Sequence, residues 1–282
     1  MTIVQKKLFY LIGLFGLLLG LVTTAQAGPD LLQQVKNEGR LTVGTEARFK
    51  PFEFVQDGQI VGYSADIMRH IMQQLPDVEL VRRDVPWQGI LPGLESGRFD
   101  YVVTSVVATP KRREKYHLSL PIATASMALL KRSGDDSIQS PQDLGGKVVG
   151  SQTGSAQLAA VKAFNKTLRE NGKPAAKIRS YTDFNQAYAD LAQGRLDAVA
   201  NGLPNLMQAA QTRPEIFAVV RPTFGPKKYY AWAGRKDAES QSLNQFFDRQ
   251  LRRLNDDGTL AELQKKWFGQ AMSLPTERPE PQ

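Results

Sequence analysis

The sequence predicts an α/β protein built of two similar lobes, and three observations carry that expectation. The line Leu94-x-x-Gly97-Arg98-Phe99-Asp100-x-Val102 returns 97 residues later as Leu191-x-x-Gly194-Arg195-Leu196-Asp197-x-Val199. An aromatic stands ten residues before each glycine (Trp87 and Phe184), and a strand opening precedes each copy, Val43-Gly44-Thr45 and Val149-Gly150-Ser151. The length, 282 residues, suits two modest domains better than one large core. Similarity at a fixed spacing marks a duplicated structural unit.

Each copy reads as a helix closed by glycine and followed by a buried strand. Leu91 and Leu94, like Tyr188 and Leu191, lie at helical spacing, and Gly97 and Gly194 stand where a left-handed C-cap is wanted. Tyr101-Val102-Val103 and Ala198-Val199-Ala200 then run apolar without alternation, as strands covered on both faces do. Residues 40–44 read as the opening strand, and Asp57-Gly58 as a hairpin turn between Phe54 and Ile60-Val61. Ser64 is expected to cap a helix whose apolar face is Ile67, Met68, Ile71, Met72 and Leu75. Thr109-Pro110 starts a short helix, with threonine as N-cap and proline at the first helical position. Thr153-Gly154-Ser155 opens a longer one that turns Leu158, Val161, Phe164 and Leu168 inward. Asp183 and Gln186 have the spacing of a capping box. After a strand at 229–233, two helices finish the fold, the first burying Leu243, Phe246, Phe247, Leu251 and Leu254, the second capped by Thr259.

Residues 1–27 read as a cleaved export signal: Lys6 and Lys7, an apolar run over 8–22, and Ala25-Gln26-Ala27 before Gly28. That run falls short of the roughly 20 residues that span a bilayer. Its removal lowers the formal charge from +8 to +6. The absence of cysteine excludes disulfides, thiolate metal sites, a cysteine nucleophile and a lipid-modified cysteine. A periplasmic protein without a lipid anchor is expected. Lysines and arginines are scattered rather than striped, so nucleic acid is not the expected partner. The tail, 270–282, is Pro-rich and charged and is expected to be disordered.

The residues offer little for catalysis. Two histidines, His70 and His117, far apart in sequence, cannot build a metal cluster or a nucleophile–base pair with cysteine, and no G-x-S-x-G elbow or phosphate loop occurs. No cofactor and no metal is expected. Binding has better support, because ligands of open α/β sheets sit beyond the carboxyl ends of the strands. That rule selects residues 45–52 and 104–112 in the first lobe, and 151–157 with Asn201-Gly202 in the second. Helix starts at Thr109 and Ser155 offer free N–H groups to an anion, and Arg112 a bidentate guanidinium. Phe49, Phe52 and Trp87 can form apolar walls. Arg112 also reads as a surface residue of the run Lys111-Arg112-Arg113.

At these residues the chain resembles the extracellular solute-binding proteins of family 3, the receptors of polar amino-acid ABC importers. The resemblance is carried, up to Gly269, by Val43-Gly44-Thr45 with Pro51-Phe52-Glu53-Phe54, Val61-Gly62-Tyr63-x-x-Asp66, and Leu91-Pro92-x-Leu94-x-x-Gly97-x-Phe99-Asp100. Thr109-Pro110-x-Arg112, Asp143-Leu144-x-Gly146-Lys147-x-Val149-Gly150 and the ending Asp257-Gly258-Thr259 … Lys266-Trp267-Phe268-Gly269 follow in order. It implies a type II periplasmic-binding-protein-like fold, two Rossmann-like lobes joined by two hinge strands. Lobe 1 is then 28–126 with 228–269, lobe 2 is 127–227, and the hinges lie near 124–127 and 222–228. The implied function is a monomeric periplasmic receptor that closes on an amino acid or related small carboxylate and serves a membrane ABC permease. A dehydratase-like enzyme of the same fold acting on a cyclic acid, and a sensor for a membrane signalling protein, are the alternatives.

Matching positions imply contacts. Arg112, rather than Arg113, is the carboxylate-binding arginine. Ser105 supplies a hydroxyl, Val107 a backbone N–H, and Ser155 with Ala156 further N–H groups. Phe49 covers the ligand, and Glu46 takes the place of an aspartate that meets ligand side chains. One departure stands out: the family holds the α-ammonium with an aspartate where this chain has Gly202, after Asn201. Either Glu46 takes the ammonium or the ligand lacks one, and Gly202→Asp is expected to favour amino acids.

Overall fold

The structure, a computed structural model, describes residues 30–278; the expected signal, 1–27, lies outside them. The chain opens with α1 (Leu31–Glu38), β1 (Arg40–Thr45), β2 (Arg48–Phe49), β3 (Glu53–Gln56), β4 (Gln59–Val61) and α2 (Tyr63–Met72). It continues through β5 (Glu79–Asp84), α3 (Trp87–Glu95), β6 (Tyr101–Val107), α4 (Pro110–Lys115), β7 (His117–Leu118) and β8 (Ala123–Thr124). Next come β9 (Met127–Arg132), β10 (Val148–Gln152), α5 (Ala156–Glu170), β11 (Lys177–Tyr181), α6 (Phe184–Ala192) and β12 (Ala198–Gly202). Then α7 (Leu203–Thr212), β13 (Phe217–Phe224), β14 (Tyr229–Gly234), α8 (Gln241–Asp256) and α9 (Thr259–Phe268) complete it.

Two sheets repeat one plan. The first runs β5-β1-β6-β14-β7, with β8 also on β14, and the second runs β11-β10-β12-β9-β13. In both, the first three strands are parallel and the fourth is antiparallel. The motif's chemistry explains the duplication. Asp100 accepts the Thr42 N–H at 2.8 Å and Asp197 accepts the Val148 N–H at 2.7 Å, each tying the head of β6 or β12 to the neighbouring β1 or β10. Thr45 and Ser151 donate their hydroxyls to Val103 and Ala200 carbonyls at 2.9 and 3.0 Å, closing the same pair of strands at the other end. A Cβ on Gly44 would lie 2.5 Å from the Phe99 ring, and one on Gly150 2.4 Å from Leu196. Glycine in the strand and a bulky residue before the aspartate are therefore one packing unit.

Helix ends follow the expected chemistry in part. Thr109 and Ser155 accept N–H groups from Arg112 and Leu158, and Asp183 accepts that of Gln186. Ser64 does not cap α2: Gly62 takes that place, because the Ser64 hydroxyl is turned inward onto Glu53 at 2.5 Å. Gly258, not Thr259, precedes α9, and its left-handed φ of 82° lets the chain turn from α8 without a side-chain cap.

The chain crosses between the sheets twice, from β8 to β9 and from β13 to β14, and the crossings bond to each other where Ala125 N–H donates to Lys228 O at 2.7 Å. Residues 270–278 of the expected disordered tail touch the rest of the fold, and 279–282 lie outside the described residues. Met272 N–H donates to Gln264 Oε1 at 2.7 Å, Met272 and Leu274 pack on the core, and Arg278 pairs with Asp248. The apolar Met272 and Leu274 anchor a segment whose composition alone forms no helix or strand. Among the described residues no helix is long and apolar enough to cross a membrane.

The first sheet's core centres on Phe247, stacked on Tyr101 (centroids 4.0 Å apart) and edge-on to Trp232. Phe247→Ala should lower stability by about 3–5 kcal/mol, the usual cost of an aromatic cavity. Urea denaturation measures it, and a loss below about 1 kcal/mol would remove Phe247 from the centre of the core.

Candidate functional site

The carboxyl ends of β1 and β6 in one sheet and of β10 in the other meet across a closed seam. Between them lies a narrow cavity of about 10 Å³, lined by Glu46, Phe49, Trp87, Ser105, Val107, Arg112, Gln152, Ser155 and Gln157. Seven sequence-selected residues are thus brought together from stretches more than a hundred positions apart. Gln152 and Gln157 were missed as individual residues; they fall in the selected stretch 151–157, but a neutral amide carries no charge pattern to single it out.

Arg112 forms one pole. Its Nη1 donates to Val107 O at 2.9 Å, its Nη2 reaches Gly154 O in the other lobe at 3.5 Å, and its guanidinium lies 4.9 Å from the Trp87 ring centroid. Carbonyl dipoles and an aromatic face support the cation without neutralising it, and burial lowers its pKa to about 10. Ser155 caps α5 here, so the cavity also faces that helix's N-terminal N–H groups.

Glu46 forms the other ionisable lining group. It is buried, and Gln152 Nε2 donates to it from the opposite lobe as well as to Thr182 O at 3.1 Å. Burial pushes its carboxyl up to about 7, against the Gln152 bond and the charge of Arg48. Further bonds cross the seam: Gln88 Nε2 donates to Thr153 O and Thr182 O at 3.3 and 3.0 Å, and Asn205 Nδ2 to Lys50 O at 2.7 Å.

Four selected residues do not line the cavity. Phe52 is core, edge-on to Tyr230 and tilted against Phe268, and it backs Phe49, whose ring stacks on it at 5.9 Å. Ala156 faces a neighbouring groove that also contains Lys111, Lys162 and Lys228. Asn201 is spent inside its lobe, accepting from Gln157 Nε2 at 3.2 Å and donating to Tyr188 Oη at 2.9 Å. Gly202 lies behind Gln157, and a Cβ there would stand 2.1 Å from Tyr230 Oη. That hydroxyl accepts from Gln157 at 3.3 Å and donates to Asn205 Oδ1 at 3.2 Å. The expectation that an aspartate could be introduced at 202 is corrected here, since any side chain must first expel the Tyr230 hydroxyl.

Residues 41–270 match the bacterial extracellular solute-binding proteins, family 3. The chain belongs to that family. It is 30% identical over 255 residues to the L-cystine-binding protein TcyJ of Escherichia coli (strain K12), covering 90% of this chain and 91% of that one. The ancestral amino acid-binding protein AncCDT-1, a precursor of cyclohexadienyl dehydratase, superposes with a TM-score of 0.75 at 30% identity, covering 84% of this chain and 99% of that one. AbpA of Streptococcus pneumoniae, an amino acid ABC transporter substrate-binding protein bound to L-arginine, gives 0.74 at 29%, covering 84% and 98%. The protein is a solute-binding receptor of the type II periplasmic-binding fold.

The Gly202–Tyr230 contact is testable without a ligand. Gly202→Ala should cost about 1–3 kcal/mol by overpacking. Tyr230→Phe, which removes the oxygen at 2.1 Å, should recover part of that loss in the double variant. Strict additivity of the two changes in thermal denaturation would show that residues 202 and 230 do not compete for one space.

Proposed function

We propose that this receptor carries an L-amino acid, with the ligand carboxylate on Arg112 and its ammonium at Glu46. One observation carries the reading: Glu46 and Arg112 are the charged side chains lining the cavity, so the site offers one cation and one acid to a zwitterion. The Ser105 hydroxyl and the N–H groups at Ser155 would complete the carboxylate end. Phe49 and Trp87 would cover the apolar part of the ligand. A carboxylate is required somewhere for an ammonium taken out of water, and the neutral groups around Gly202 do not provide one. Relatives named for L-cystine and L-arginine support the ligand class.

The lobes would be 28–126 with 228–269, and 127–227, turning about 124–127 and 222–228. A ligand touching both lobes favours the closed form by its differential contacts. A monomer, exported to the periplasm by residues 1–27 and serving a membrane ABC permease, completes the proposal. A dehydratase is the second reading, favoured by the likeness to AncCDT-1 and by an acid at Glu46 poised near neutrality. Incubation with cyclohexadienyl acids, followed by ultraviolet absorbance, should give no product; turnover would establish the enzyme.

Calorimetry with L-cystine and L-arginine tests the binding mode. Arg112→Ala should cost about 3–5 kcal/mol, a loss of more than about a hundredfold, because the ligand's charge is left unpaired. Arg113→Ala, outside the cavity, should leave affinity within about a factor of two, in line with ordinary surface changes. Glu46→Gln should weaken binding at least about tenfold and remove a proton release on binding below pH 7, because the bound ammonium favours ionised Glu46. Equal losses from Arg112→Ala and Arg113→Ala would overturn the assignment.

A further inference from the structure

Glu53 is a buried acid beside the cavity, outside the proposed ligand contacts. Three hydroxyls converge on it: Ser64 and Ser105 on Oε1 at 2.5 and 3.0 Å, and Thr104 on Oε2 at 3.2 Å. It is 1% exposed. The groups that face it are those hydroxyls from α2 and β6, the carboxyl of Glu46 on the β1–β2 loop, and Tyr230 on β14. Burial lifts the Glu53 carboxyl to about 8 against the lowering effect of the hydroxyl bonds, and the charge of Glu46 adds a smaller push in the same direction as burial. Ser105 both donates to Glu53 and lines the cavity.

A serine hydroxyl owns one hydrogen, and an ionised carboxylate can only accept. With Glu53 ionised, the Ser105 hydrogen points to Glu53 and only oxygen lone pairs face the cavity. An incoming carboxylate would meet like charge there. With Glu53 protonated, its own O–H can donate to Ser105 Oγ, and the Ser105 hydrogen is released toward the cavity as a donor.

We propose that Glu53 is a positioning residue: by taking a proton it turns the Ser105 hydroxyl toward the ligand's carboxylate, so that carboxylate binding and proton uptake at Glu53 are one linked event. The inference rests on the reading that the ligand carboxylate lies at Arg112 and Ser105. The proton comes from solvent and forms one O–H bond on Glu53. Ser105 keeps its hydrogen and changes only the acceptor it faces. The sign is opposite to that at Glu46, where binding an ammonium releases a proton.

The experiment compares wild type with Glu53→Gln, which mimics the protonated acid in shape and donor capacity. Binding of L-arginine and L-cystine is measured by calorimetry from pH 6 to 9.5 in buffers of differing ionisation heat. Above pH 8 the affinity of the wild type should fall about tenfold per unit relative to the variant, with uptake of up to one extra proton. The probe's own ammonium titrates alike in both proteins and cancels in the difference. Identical pH slopes and proton counts would overturn the proposal. If Glu53→Gln does not fold, Ser105→Ala keeps the acid and breaks the relay, and unchanged proton uptake in it would overturn the proposal too. A loss of binding in Arg112→Ala together with an unchanged slope in Glu53→Gln sinks only this inference, whereas no loss in Arg112→Ala sinks the reading of the site. The carboxyl carbon resonance of Glu53, identified in a carbon-13 glutamate-labelled sample by its absence in Glu53→Gln, needs no ligand. It should titrate above pH 7, and titration below pH 6 would end the proposal.

Discussion

Each lobe depends on one repeated tie, an aspartate just before β6 or β12 that accepts an N–H from the neighbouring β1 or β10. Asp100 and Asp197 make it, and a glycine in the first strand admits the bulky residue preceding each aspartate. A carboxylate accepting a backbone N–H is a strong, directional bond that sets relative strand position. With one end so fixed, the hydroxyls of Thr45 and Ser151 lock the other, and the strand ends emerge at the same level in both lobes. The cavity is where those two levels meet.

At that meeting the electrostatics are unusually sparse. Arg112 is supported by carbonyls and an indole face, Glu46 by one amide, and the remaining polar lining is neutral. Both charges are shifted toward neutrality by burial, Arg112 downward and Glu46 upward. Removing charged groups from water is costly, so a site of this kind gains most from a ligand that brings the opposite charges in the matching order. Neutral amides crossing the seam to carbonyls, from Gln88 and Asn205, can be exchanged for ligand contacts or water at little electrostatic cost.

Tyr230 connects the halves. It stands on β14 in the first sheet, its ring packs against Phe49 and Phe52, and its hydroxyl meets Gln157 and Asn205 of the other lobe. The missing side chain at Gly202 provides the space for that hydroxyl. The room a side chain at 202 would need is filled by a hydroxyl delivered from a strand 28 positions away.

The repeat, the elements and most of the cavity wall were legible in the sequence, because they rest on local spacing: glycine caps, apolar runs, and polar residues at strand ends. Arg112 and Ser155 could be selected for that reason; strand ends gave only the stretches that hold Glu46 and Ser105, and the family resemblance singled those two out. Ser64 was misread as a cap because its real partner, Glu53, lies on another element. An aromatic in a loop does not reveal which way it packs, so Phe52 reads as wall and is core, and composition says nothing of the contacts that Met272 and Leu274 make. The sequence by itself determined two duplicated lobes and the chemistry available at their facing ends. Only the tertiary structure decided that Gln152 and Gln157 face Glu46 and Tyr230, that Gly202 lies behind the wall, and that three hydroxyls converge on Glu53. Contacts between lobes pair residues on separate elements, and no local spacing rule reaches across that distance.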